Sequence, residues 1–136
     1  MKYFTVEEAT ALIPKLEGII RSLREIFEKL RSNQSAMASL SGAQGTQGQS
    51  GNGHNIWQEG RARALKGERE EIEVRLKRSM DEVSSLSVEI KDVNAGLADF
   101  RAIRDGREIY LCWKVGEDSI EYWHELDTGY ASRQPL

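Results

Sequence analysis

The spacing of the large apolar residues changes once along this chain, and the change leaves few folds open. Leu12, Leu16, Ile19, Leu23, Ile26 and Leu30 recur at steps of four and three, and Met37 and Leu40 continue the register past Asn33. Two more heptad rows follow, Leu65, Ile72, Leu86 and Val93 in one and Leu76, Val83, Ile90 and Leu97 in the other, with Arg69 and Ser79 as polar interruptions. After Leu97 the step falls to two, through Phe100 and Ala102 and then Ile109, Leu111 and Trp113. Helices repeat near 3.6 residues and half-buried strands at 2, so the expected class is α+β. The architecture predicted is a long antiparallel helical hairpin packed on a C-terminal three-stranded antiparallel meander.

Boundaries come from local signals. Thr5 and Glu8 form a capping box that starts helix one, which runs over about residues 5–41. Pro14 removes a backbone bond inside the pattern, which predicts either a kink near Thr10 to Ile13 or an early helical turn set apart. Residues 42–55 are Gly, Ser, Gln, Asn, Thr and Ala with one histidine, His54, and read as a flexible loop in which His54 is solvated. Helix two covers about 56–95 and ends on a left-handed cap at Asn94 to Gly96. The meander spans about 97–128 and a tail 129–136, all in a single domain.

Strand register follows from the turns. Asp105-Gly106 as a two-residue turn sets Ala102 opposite Ile109, Phe100 opposite Leu111 and Asp99 opposite Cys112. Glu117-Asp118 as the next two-residue loop sets Trp113 opposite Tyr122 and Leu111 opposite His124. A three-residue loop would instead put Trp123 and Glu121 on the face of Leu111, which separates apolar from polar less well. The preferred register gathers Phe100, Ala102, Ile109, Leu111, Trp113, Val115, Ile120, Tyr122 and Leu126 on one face, with His124 among them. The opposite face then carries Asp99, Arg101, Tyr110, Cys112, Trp123 and Glu125 and is open. Ile13, Ile20 and Phe27 form an extra row on helix one that covers the apolar sheet face. A helix face this broad also predicts a homo-oligomer.

Composition excludes some partners. Nineteen basic and 22 acidic residues are well mixed, net −3 with pI near 5.5, so neither nucleic acid nor an anionic membrane is an expected partner. Cys112 stands alone, ruling out an intrachain disulfide, and Glu7 and Glu8 sit where a signal peptide needs an apolar run. No apolar run approaches the roughly 20 residues that span a bilayer. A cytoplasmic protein is expected.

The candidate chemistry is sparse: no nucleophile pair, phosphate loop or metal-ligand spacing is visible. Trp123-His124-Glu125 with Asp127 looks like a metal or acid/base cluster, yet neighbours in a strand point to opposite faces. His124 therefore needs ligands from elsewhere, with Asp92 or Asp99 the further candidates, or else it is a buried polar tie to an acid such as Glu89 or Asp92. Cys112 is a poor nucleophile, because its face offers only Lys114 and Arg101 as bases and Asp99 beside it raises the thiol pKa. Arg101, Tyr110, Trp123 and Glu125, with Asp99, read either as cross-strand pairing or as a recognition patch centred on the indole.

Lys91-Asp92, Gly96-Leu97-Ala98-Asp99-Phe100, Asp105-Gly106-Arg107-Glu108, Leu111-Cys112-Trp113, Gly116-Glu117, Trp123-His124-Glu125, Gly129 and Arg133-Gln134-Pro135 together resemble a bacterial domain-of-unknown-function family, the one numbered 2203. The resemblance runs from Phe4-Thr5 to the tail and implies a small soluble bacterial protein. It brings no activity, substrate, cofactor or catalytic residue with it. The function expected is a non-catalytic protein-interaction or scaffold module working through the open sheet face, with a protein partner that includes a second copy of itself. The alternative is a metal-binding protein or small enzyme with a site around His124; coiled-coil docking on nucleic-acid machinery is disfavoured by the acidic balance.

Overall fold

A computed structural model describes residues 1–45 and 54–136, so the centre of the expected 42–55 loop lies outside the described residues. The elements are α1 (Val6–Ala11), α2 (Ile13–Gly45), α3 (His54–Leu86), β1 (Glu89–Asp92), β2 (Leu97–Arg104), β3 (Arg107–Lys114), β4 (Tyr122–Glu125), a 3-10 turn at Tyr130–Ser132 and β5 (Gln134–Pro135). Thus α2 runs on to Gly45 through the good helix formers Ala43 and Gln44, and His54 opens α3. The class is α+β: two long helices packed together, then an antiparallel sheet. Their pairing runs antiparallel, since Lys15 meets Glu82 and Asn33 meets Leu65. The chain divides into two compact units, Met1–Arg24 with Ser79–Leu136, and Glu25–Arg78.

In the first unit the Thr5 hydroxyl accepts from the Glu8 amide at 3.1 Å and the Glu8 carboxylate accepts from the Thr5 amide at 2.9 Å, which closes the capping box. Leu12 caps α1, and Pro14 falls in the first turn of α2, where its missing N–H costs nothing. Of the two outcomes left open for Pro14, the early turn set apart is the one found. Ile13, Leu16, Ile19, Ile20 and Leu23 are all buried along α2. Phe27 belongs to the second unit and is half-buried.

Helix two does not reach residue 95. It stops at Leu86, where Ser87 takes a left-handed φ of 62°, and the heptad positions Ile90 and Val93 pass into a strand and a turn. Glu89 pairs with Asp99 and Ile90 with Ala98 across β1 and β2. Ladder bonding along an exposed edge of the sheet outweighs the continued period of the sequence. The turn that follows is built by Asp92, whose carboxylate accepts from the Ala95 amide at 2.9 Å, and by Gly96 at φ +76°. Arg24 of α2 donates to the carbonyls of Val93 and Asn94 at 3.0 and 2.9 Å, tying helix to turn.

The sheet has five strands in the order β1-β2-β3-β4-β5, two more than expected. The first hairpin has the register predicted: Ala102 faces Ile109, Phe100 faces Leu111 and Asp99 faces Cys112. The second is displaced by one residue, with Leu111 opposite Trp123, Cys112 opposite Tyr122 and Tyr110 opposite His124. The cause is Glu117. Its carboxylate accepts from the Lys114 amide at 2.8 Å and its carbonyl from the Trp113 indole at 2.9 Å, so residues 115–121 form a loop closed by side chains rather than a two-residue turn. One residue of slip moves every β4 side chain to the other side of the sheet. Trp123 therefore joins Phe100, Leu111 and Trp113 in the core, and His124 leaves it for the opposite face.

In the second unit Ile26, Leu65 and Ile72 are buried, and Asn33 is buried among them at a heptad position. Its side-chain amide donates to the Leu65 carbonyl at 2.9 Å and to Glu68 at 3.0 Å, a polar contact that fixes which turns of the two helices meet.

Candidate functional site

The second face of the sheet is not open. The tail folds back on it: β5 pairs with β4, the Leu136 amide donates to the Glu121 carbonyl at 2.9 Å, and Arg133 lies over the rings of Tyr122 and Tyr130. Arg133 also donates to the Glu117 carboxylate at 3.0 Å. Burial by itself would raise Glu117, but the Arg133 guanidinium and the Lys114 amide outweigh it and hold the carboxylate below its ordinary value. The same pair raises Arg133. This clamp fastens the tail to the β3–β4 loop.

Beneath the tail lie three ligating groups, one per strand: Asp99 of β2, Cys112 of β3 and His124 of β4. All are buried, at 4, 1 and 1 % exposure. A carboxylate oxygen, the thiol sulfur and a ring nitrogen lie within 4.8 Å of one another. Alternation along the strands puts them there once the β3–β4 register has slipped.

The hydrogen bonds of His124 determine its tautomer. Nδ1 lies 2.8 Å from the carbonyl oxygen of Glu125, which can only accept, so Nδ1 carries a hydrogen. Nε2 of the neutral ring is then a lone pair, and it faces Oδ2 of Asp99 at 3.1 Å. Two acceptors at that separation need a proton or a cation between them. Burial raises the Asp99 carboxyl above its ordinary value, against the pull of His124, Lys91 and the Cys112 thiol. Burial, and after it the Asp99 charge, push the Cys112 thiol up to about 11, away from the thiolate that nucleophilic attack needs.

These three groups suit a transition-metal ion. Thiolate, imidazole and carboxylate are the side chains that bind zinc, and edges of about 3.3–3.5 Å follow from its bond lengths of about 2.0 Å to N or O and about 2.3 Å to S. A backbone carbonyl accepting from Nδ1–H is the usual outer support of a histidine that ligates through Nε2.

Beside the cluster is a cavity of about 180 Å³. Asp99, Cys112 and Tyr110 line it, Leu97, Leu126 and Tyr130 add apolar surface, and Lys91, Thr128 and Gly129 complete it. The Tyr110 hydroxyl donates to Glu89 at 3.0 Å, and its ring lies 5.4 Å from that of His124.

The expected recognition patch is dispersed. Trp123 is buried at 6 % exposure, Tyr110 and Asp99 are buried too, and Glu125 faces Arg107 on the other side of the sheet at 2.8 Å. Arg101 does share a face with Tyr110 and stacks on its ring, while pairing with Glu89 and Glu108. Asp92, offered above as a partner for His124, serves the β1–β2 turn, and Asp127 is exposed. Neither joins the cluster. His124 and Cys112 share a face, contrary to the register expected, so the thiol stands beside an imidazole that the sequence pattern puts behind the sheet. The roles of Glu117 and Arg133 went unread; the one signal for them was an acid after Gly116 and an arginine shortly before the end.

Among the described residues no helix is long and apolar enough to cross a membrane. No curated protein and no solved structure matches the chain. A family model described as "Uncharacterized conserved protein (DUF2203)" matches residues 2–136, and the chain belongs to that family.

Proposed function

We propose that the protein binds a divalent transition-metal ion of the zinc type through Asp99, Cys112 and His124. The observation that carries this reading is the contact of 3.1 Å between Nε2 of His124 and Asp99, with the other ring nitrogen committed to a carbonyl and a buried thiol alongside. A buried tie between one acid and one histidine would need only a shared proton. It would not need a third ligating side chain of the softer kind, from a third strand.

The test is a titration of the chelator-treated protein with Co²⁺, following the thiolate-to-cobalt absorption band. One equivalent is taken up by wild type, and Cys112→Ser abolishes the band. Zinc at a hundred times its Kd stabilises wild type against heat by about 2.7 kcal/mol and leaves Cys112→Ser unchanged. Absence of both the band and the stabilisation in wild type defeats the reading.

A protein-interaction reading has one observation in its favour, and it now rests on the helices. Ile56 and Trp57 at the start of α3 are 85 and 71 % exposed, a costly surface for an indole unless a second copy covers it. Sedimentation equilibrium of wild type against Trp57→Ser decides it: a dimer lost in the variant supports self-association, and a monomer in both refutes it.

A further inference from the structure

We infer that a small aliphatic monocarboxylate occupies the cavity beside Asp99 and Cys112 and supplies the fourth ligand of the metal, an inference that rests on the metal-binding reading above. Zinc sites closed for structure have four protein ligands, whereas three protein ligands leave a position for an exchangeable one. Here the protein offers three, and two of them, Asp99 and Cys112, form part of the cavity wall. His124 lies outside that wall, so a fourth ligand would come from the Asp99 and Cys112 side, where this space is already shaped.

Size, polarity and charge select the occupant. About 180 Å³ is below the roughly 300–1,000 Å³ of pockets for drug-sized ligands, which limits the molecule to a few heavy atoms. Leu97, Leu126 and the ring of Tyr130 suit a short hydrocarbon body. A divalent ion held by one carboxylate and one thiolate is formally neutral, so a monoanionic head adds one negative charge. The Lys91 ammonium, paired with Glu89 at 2.9 Å and lying over the Tyr110 ring, is the cation that lines the same cavity and attracts a monoanion. Leu126 and Tyr130 are 38 and 39 % exposed, so the ligand enters past the tail segment without unfolding the sheet.

The experiment uses the full chain loaded with Co²⁺, titrated separately with acetate and butyrate, and reads the visible d–d bands. Both anions are expected to shift the bands, with butyrate binding about tenfold tighter because two more methylene groups leave water. Leu126→Ala is expected to bring the butyrate affinity several-fold closer to that of acetate, and Lys91→Met to weaken both anions. Each variant should keep the cobalt spectrum of wild type before anion is added, which shows that the fold and the metal site are intact. Cobalt bands that neither anion moves, or that both move with equal affinity, overturn this inference and leave the metal site standing. No cobalt bands at all overturns the reading beneath it.

Discussion

On one face of the sheet Trp113, Phe100, Leu111 and Ile109 are buried as apolar groups, and the Trp113 indole nitrogen has its acceptor in the Glu117 carbonyl. On the other face Cys112, His124, Asp99 and Tyr110 are buried almost as deeply, and each carries a group that titrates. The first face lowers the free energy of the fold by removing hydrocarbon from water. The second gains far less from burial, since desolvating a carboxylate costs about what its pairing returns. The metal-binding proposal accounts for a face that is expensive to bury and is covered by a clamped tail.

Substitutions should separate the two faces. The largest effect is expected from Trp113→Ala on the apolar face, about 3–5 kcal/mol in urea denaturation, because the neighbouring strands cannot close over so large a cavity. Next, His124→Leu alone leaves the Asp99 carboxylate buried without its partner and costs about 3 kcal/mol. Changing Asp99 and His124 together to leucine should cost less than that single change while abolishing metal uptake. If the double variant proves as unstable as Trp113→Ala, the polar face is structural and the contrast fails.

The pH dependence differs as well. Metal uptake must displace the proton of Cys112, whose thiol burial pushes up to about 11, and the one held between His124 and Asp99, so the affinity should rise by at least about tenfold per pH unit through neutrality, measurable by chelator competition. The metal-free protein should behave in the opposite sense at Asp99. Its native pKa lies above the ordinary 3.8, so the native state holds the extra proton; that contribution is whole below 3.8 and is lost as pH rises through the native value. Asp99→Asn should remove this part of the slope in denaturation curves taken across acid pH.

The smallest effect concerns the tail. Arg133→Ala should cost about 1 kcal/mol, since the pair it breaks is only partly buried. Glu117 is depressed below its ordinary 4.5, so the contribution of the pair is present above 4.5 and disappears as pH falls through the native value. Urea midpoints of wild type and variant should converge in acid.

Much of the apolar face was legible in the sequence, because alternation and the Asp105-Gly106 turn both report it directly. The polar face was not, for one local reason. The Glu117 carboxylate bonds the Lys114 amide, which makes a longer loop of what reads as a two-residue turn, and no pattern of hydrophobicity records a side chain used in that way. The error of a single position then exchanged Trp123 for His124. The end of α3 was hidden for a related reason, as Ile90 and Val93 continue the heptad rows although they lie in a strand and a turn, and only the pairing of Glu89 with Asp99 decides against the helix. Asp99 and His124 were each visible as candidates; that they meet depends on the register alone.

X-ray absorption at the zinc edge of the loaded protein tests the central claim most directly. One sulfur at about 2.3 Å with nitrogen or oxygen neighbours at about 2.0–2.1 Å is the result predicted. A first shell of nitrogen and oxygen alone in the wild-type protein would place the metal elsewhere and contradict the account.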